Sequence, residues 1–415
     1  MRVAVVVQRY GRDVLGGAET HAALMAGLLA REHDVEVLTT TARDYHEWRE
    51  GFAEGTEVVD GLRVRRFPVA QGRLPSWHAI SRLLHDGFEP SSFARLPREV
   101  REAFAARVRS WPDALQEEFV RGQGPVAPAL VEHLRRERHD RVLFVTYLYP
   151  TTYDGLLAVE RGRAFVVPTL HDEPPAYLPV FGRRLARARL LCSTEAEVAL
   201  VARLYPEEPP QASLLGYGID LPAARAAAPA FDASSFLLYA GRVDSQKGIP
   251  DLLAWYAALR GAMARPPRLV LIGEVAMPLP RMPGLEPLGF VSEERKHELL
   301  RGALALVHPS PYESLGIVIL EAMGSAVPIL VRGDCEVMVE HCRRGGGGLW
   351  VRDAAEFAAA VSRLAADREL CERLGRSGRS FAEREFGLPA YAERLLGWFR
   401  PEPAGGEPGS SRGCH

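Results

Sequence analysis

Short, fully apolar runs separated by amphipathic stretches recur in two successive series along this chain. Val3–Val7 is a continuous apolar run of the kind a strand buried on both faces of a parallel sheet requires. A glycine-bearing loop, YGRDVLGG, follows it, then HAALMAGLLAREH with helical spacing, then Asp34–Thr39 (DVEVLT) as a second strand. Right-handed crossover packing of this βαβ start puts the Gly16–Gly17 loop at the C-terminal edge of the sheet, where ligands bind. Residues 72–138 are Arg-rich and helical in pattern, without strand signals, and read as a helical insertion. Strand character returns in Arg141–Leu148, Ala164–Asp172 and Arg189–Thr194.

The composition then shifts to a Pro- and Ala-rich stretch at 206–231, the expected look of a connector. A second series begins with FLLYAG (Phe236–Gly241) and continues with RLVLIG (Arg268–Gly273), ALALVHPS (Ala303–Ser310) and VPILV (Val327–Val331). Two such series predict an α/β protein with two Rossmann-like domains of parallel sheet facing a cleft, residues 1–215 and 216–385. Residues 353–399 read as helical, with 386–400 expected as a C-terminal helix packing back toward the first domain. The tail 401–415, rich in Gly, Pro and Ser, is expected to be disordered.

At 415 residues the chain accommodates two domains of ordinary size. Its 47% hydrophobic and 25% charged residues describe a globular protein. A net charge of −2 gives no global reason to expect nucleic acid as a partner. No apolar run approaches the ~18 residues of a membrane span. The apolar start is too short for a signal peptide, so a cytoplasmic location is expected. Cys192, Cys335, Cys342, Cys371 and Cys414 are odd in number and show no CxxC spacing, which suits reduced thiols and argues against a zinc site.

Two stretches carry candidate chemistry. FLLYAGRVDSQKG (236–248) reads as a strand delivering Arg242 and Lys247 beside glycines at its C-terminal end, an arrangement suited to a diphosphate. The chain has 49 arginines and only two lysines, Lys247 and Lys296. Lysine at 247 therefore suggests a need for a compact ammonium rather than a planar fork. In ESLGIVILE (Glu313–Glu321) two carboxylates bracket a loop running into a buried helix. With Glu313 at the open end and Glu321 about two turns inside, helical rise separates them by roughly 12 Å, the span from sugar to ribose in a nucleotide-sugar. Backbone N–H groups at the helix start favour a diphosphate between them, and Gly316 lets the ligand approach closely. There is no D-x-D pair of carboxylates anywhere in the chain.

With these motifs the chain resembles glycosyltransferase family 4, retaining nucleotide-sugar enzymes of the GT-B fold, over nearly its whole length to about residue 400. The resemblance rests on GGAE (Gly16–Glu19), HDEP (His171–Pro174), GRVDSQKG, ESLGIVILE, GSAVPIL (Gly324–Leu330) and DCEVMVEHCRRGGGGLWV after Asp334. It implies that the first domain binds the acceptor and the second the nucleotide-sugar, the co-substrate of an enzyme without a metal or other cofactor. It further implies that Arg242 and Lys247 hold the donor diphosphate, that Glu313 bonds sugar hydroxyls and that Glu321 takes the ribose diol. The backbone of Ser314, Leu315, Gly316 and Ile317 would complete the phosphate cradle with Gly16 and Gly17 opposite. His171, taken as ending a strand at the HDEP turn, would contact the donor sugar or reacting region. Gly289, Phe290 and Val291 would lie beside the base, although a plain hydrophobic turn fits LGFVSEE equally well. Asp172, adjacent to His171 on the turn, is not expected to aim at the same atom.

The expected reaction is retaining transfer of a hexose-type sugar to a hydroxyl of a glycan or lipid-linked acceptor. FGRRLARARLL (Phe181–Leu191) and the Arg-, Trp- and Phe-bearing stretch 72–110 suit peripheral docking on an anionic inner membrane face, or simply solvated arginine faces. The alternatives are a non-catalytic nucleotide-sugar-binding subunit and a GT-B-fold epimerase or phosphorylase. A pyridoxal phosphorylase would need its cofactor lysine at 247 or 296.

Overall fold

A computed structural model describes residues 1–14, 16–85, 88, 93, 96–313 and 315–400. The expected tail 401–415 and Ser314 lie outside the described residues. The first half runs β1 (Arg2–Val6), α1 (Gly17–Leu29), β2 (Asp34–Thr40), β3 (Gly55–Val59) and β4 (Leu62–Phe67). Helices α2 (Pro75–His85), α3 (Arg98–Arg109), α4 (Asp113–Gln123) and α5 (Pro128–Arg136) follow. The series closes with β5 (Arg141–Val145), α6 (Pro150–Gly155), β6 (Ala164–Val167), α7 (Pro179–Leu185), β7 (Arg189–Cys192), α8 (Glu195–Leu204) and β8 (Gln211–Leu214). These strands form one sheet in the order β3-β4-β2-β1-β5-β6-β7-β8, parallel except for the β3–β4 hairpin.

The second half runs β9 (Phe236–Ala240), α9 (Ile249–Ala262), β10 (Arg268–Ile272), β11 (Leu285–Gly289), α10 (Glu293–Gly302) and β12 (Ala305–His308). It continues with α11 (Ile317–Gly324), β13 (Ile329–Arg332), α12 (Glu336–Gly345), β14 (Gly348–Val351), α13 (Ala354–Ala366), α14 (Arg368–Phe386) and α15 (Leu388–Phe399). Its sheet is parallel in the order β11-β10-β9-β12-β13-β14. In both sheets the order reverses beside the first strand, at β1/β5 and at β9/β12. A crevice for ligands opens at the carboxyl ends of strands at such a switch point.

Apolar runs that alternate with amphipathic helices leave both faces of each sheet to be covered. One face of the first sheet packs Val3, Val5, Val37 and Leu143 against Met25 and Leu29 of α1 and against Tyr391, Leu395 and Phe399 of α15. The last helix thus crosses back from the second sheet to the first, and backbone bonds between Ile219 and both Phe386 and Leu388 fix the crossing.

Three expectations change. The connector 206–231 contains a strand, β8, pairing with β7. The strand expected to reach Asp172 ends at Val167, and Thr169 takes a left-handed backbone (φ 51°), so His171 stands in a loop beyond the sheet. The helix expected to start near 314 starts at Ile317, which puts Glu313 in the preceding loop and Glu321 one turn inside.

Candidate active site

The elements just described converge on a cavity of about 710 Å³ between the two sheets. From the first domain it is lined by Gly16, Gly17, Glu19, Tyr45, Tyr147, Tyr149 and His171, and from the second by Arg242, Lys247, Glu313, Leu315, Gly316 and Ile317. An adjoining cavity of about 670 Å³ shares Arg242 and Ile317 and adds Phe290, Val291, Lys296, Val318 and Glu321. The anticipated donor residues are therefore divided: Glu321 stands in the second chamber, and Gly289 ends β11 without lining either one.

Local backbone explains several of these positions. A side chain at Gly16 would strike Glu19, its Cβ lying 2.1 Å from Glu19 Oε2. That carboxylate is buried and accepts from Arg9 at 2.6 and 2.9 Å and from Gln8 at 3.1 Å. Gly316 caps α11 with φ 72°, and a Cβ there would meet Met338 Cε at 2.7 Å. The left-handed turn is what disfavours other residues at 316, since the end of the Met338 side chain could move aside. His341 Nε2 bonds the Leu315 carbonyl at 2.8 Å and helps to hold the loop that opens α11.

The charges are arranged in pairs. Lys247 Nζ lies 2.7 Å from Glu313 Oε1, and His308 Nε2 lies 3.1 Å from the same oxygen. Burial alone would raise the pKa of Glu313; the Lys247 ammonium and the His308 hydrogen bond outweigh it and hold the carboxyl well below its usual range. Asp244 pairs with the Arg242 guanidinium and accepts from the Lys247 backbone N–H at 2.9 Å, so one buried carboxylate shapes the whole loop. Arg242 keeps half of its side-chain surface open, and Lys247 about a third (50% and 35%), which leaves both cations reachable by an anion. In the second chamber Lys296 bridges Glu321 at 2.9 Å and Glu293 at 2.7 Å. Phe290 stands 82% exposed beside them, an apolar surface open to a planar ring.

From the opposite wall, His171 Nδ1 lies 3.6 Å from Glu173 Oε1, which also accepts from the Tyr147 hydroxyl at 3.3 Å. Burial favours the neutral imidazole, but the Glu173 carboxylate overrides it and raises the pKa of His171. Asp172 points elsewhere: it accepts from Arg101, from Arg203 at 2.7 Å and from Tyr177 at 2.6 Å. Glu173, His308 and Asp244 were not singled out from the sequence, and Lys296 was named there only as a rare lysine and a possible pyridoxal lysine. Lys296 carried a usable signal, because the rarity that marks Lys247 marks it equally.

Two sheets with switch points facing a shared cleft define a protein of GT-B architecture. Comparison with known proteins agrees. Residues 222–381 match the family model described as "Glycosyl transferases group 1". The chain is 28% identical over 307 residues to a D-inositol 3-phosphate glycosyltransferase of Streptomyces bingchenggensis, covering 59% of this chain and 65% of that protein. It is 31% identical over 184 residues to an alpha-D-kanosaminyltransferase of Streptomyces kanamyceticus, covering 41% and 46%. The chain thus spans less than two thirds of the length of these curated relatives. Among solved structures it resembles the sucrose-phosphate synthase of Thermosynechococcus elongatus (TM-score 0.62, 18% identity, 96% and 98% coverage). It likewise resembles Anabaena HepE in complex with UDP and glucose (TM-score 0.62, 14% identity, 96% and 98% coverage). The solved structures agree with the two-sheet fold described above.

Proposed function

We propose that the chain transfers a hexose-type sugar, with retention, from a nucleotide-diphosphate sugar to a hydroxyl of a glycan or lipid-linked acceptor, as a family 4 glycosyltransferase of the cytoplasm. The observation that carries this reading is the meeting of Arg242, Lys247 and the start of α11 on one cavity, with His171 facing them from the other domain.

In the proposed reaction the bond from the anomeric carbon to the diphosphate oxygen breaks, and negative charge builds on the leaving group. Arg242, Lys247 and the N–H groups opening α11 take up that charge, in a site that needs no divalent ion. The acceptor oxygen attacks from the same face, and its proton passes to the departing phosphate. Glu313, already anionic, exchanges Lys247 and His308 for sugar hydroxyls. Glu321 receives the ribose diol in the second chamber, and Phe290 covers the base. His171, held toward its cationic form by Glu173, stabilises the reacting region. The inositol-phosphate and kanosaminyl relatives and the UDP-bound neighbour support the substrate class, while the acceptor and membrane contact rest on the sequence reading alone.

A thermal-shift screen with UDP-, GDP-, ADP- and TDP-sugars tests the donor, since preferential binding raises the melting temperature. Turnover of the stabilising donor, followed with and without acceptor extracts and with EDTA, tests transfer. A donor that binds but is never consumed would favour the non-catalytic subunit, and activity lost to EDTA and restored by a divalent ion would contradict the metal-free step.

A further inference from the structure

Far from the cleft, three side chains meet around one buried point. Glu36 is the third residue of β2, His133 lies on α5, and His139 lies in the turn entering β5. His133 Nε2 is 3.7 Å and His139 Nε2 3.5 Å from the same oxygen, Glu36 Oε2, and the three candidate ligand atoms lie within 4.8 Å of one another. All three residues are buried, at 7%, 9% and 3% exposure. His133 Nε2 and both ring nitrogens of His139 make no hydrogen bond among the described residues. Unpartnered buried polar atoms are costly, and two of them, His133 Nε2 and His139 Nε2, facing one carboxylate oxygen ask for a shared partner.

We propose that Glu36, His133 and His139 form a structural site for a divalent transition ion of the zinc class. Ligand atoms ~2.1 Å from such an ion, at tetrahedral angles, stand about 3.4 Å apart, close to the 3.5 and 3.7 Å from the carboxylate oxygen to the two imidazoles. Imidazole with carboxylate suits this class of ion, and water would fill the fourth position. The other carboxylate oxygen, Oε1, faces Arg63 Nε at 3.6 Å, and Arg63 is also bound to Asp34 at 2.9 Å, an outer contact that orients the ligand. Arg63 and Arg65 act on the cluster as positive charges. The site lies toward the amino ends of β2 and β5, opposite the catalytic edge, and would tie the sheet to the helical insertion.

Chelator-stripped full-length protein is titrated with cobalt and with zinc. The expected result is one ion per chain, visible d–d bands of tetrahedral cobalt and a higher melting temperature with zinc. His139→Gln and Glu36→Gln should each weaken binding at least about tenfold, whereas His297→Ala should leave it unchanged. X-ray absorption of the zinc-loaded wild type covers the case in which a variant fails to fold. It should show imidazole and oxygen scatterers without sulfur. Absence of stoichiometric uptake, a sulfur shell, or binding undiminished in both variants would overturn the site.

Discussion

Lys247 and Arg242 bring charge to the cleft in different shapes. The ammonium sits 2.7 Å from Glu313 as a point donor, while the guanidinium lies half open beside Asp244. Replacing Lys247 by Ala should lower kcat/KM by a hundredfold or more, about 3 kcal/mol of transition-state stabilisation. Lys247→Arg should recover little of it, because a planar fork cannot sit where Nζ meets a single oxygen. Steady-state kinetics with the donor found in the screen checks both; near-wild-type turnover would remove Lys247 from the mechanism. His171 offers a second test. Its raised pKa depends on Glu173, so the pair contributes stability that is fully present below the unfolded value of about 6.5 and lost as pH rises through the folded pKa. Glu173→Gln should therefore lower the His171 pKa seen by NMR, and the wild-type melting advantage should shrink as pH rises. Residue rarity and motif spacing marked Arg242, Lys247, Glu313 and Gly316. They could not mark His308, Asp244 or Glu173, whose relevance arises only from contacts that folding creates.

At the scale of elements, strands buried on both faces were legible because continuous apolar runs such as VAVVV and FLLYA have few other uses. The missed strands lack that signature. β3 is an exposed edge, β4 alternates apolar residues with arginines, β11 carries Pro287, and β14 begins on the last of four glycines. The register of ESLGIVILE was misjudged because Gly316 turns the chain left-handed and delays the helix to Ile317. The docking of α15 on α1 exposes a different sensitivity. His21 Nε2 and the Tyr391 hydroxyl are 2.8 Å apart in full burial, and desolvation lowers the His21 pKa to about 3. Between that value and about 6.5 the unfolded chain binds a proton that the native state refuses, so stability falls as pH drops through this window. From pH 7.5 to 5 the cost from His21 alone is about 2 kcal/mol, at 1.36 kcal/mol per unit below the unfolded pKa. His21→Gln, which cannot titrate, should show a shallower acid limb in urea denaturation. An unchanged slope would assign the acid sensitivity to other groups.

As a whole, the molecule is two sheets joined by two crossings of the chain, one after β8 and one between α14 and α15. The cleft exists because both switch points face it, so its geometry depends on how the crossings hold the domains together. Twin series of apolar runs made the two-sheet plan readable. The return of the last helix was an expectation whose physical content is Tyr391, Leu395 and Phe399 lying fully buried against Val3, Val5 and Phe165. Removing residues 388–400 would bare that face of the first sheet. At about 1.5–3 kcal/mol for each large side chain withdrawn, four such residues, Leu396 included, contribute on the order of 6–12 kcal/mol. That is comparable to the entire stability of an ordinary domain, 5–15 kcal/mol. A chain ending at Gly387 should therefore lose cooperative unfolding of its first domain and bind a hydrophobic dye, although every donor-side residue is retained. Calorimetry and dye binding check this: a truncated protein that melts like the full chain would mean that α15 merely rests on the first domain.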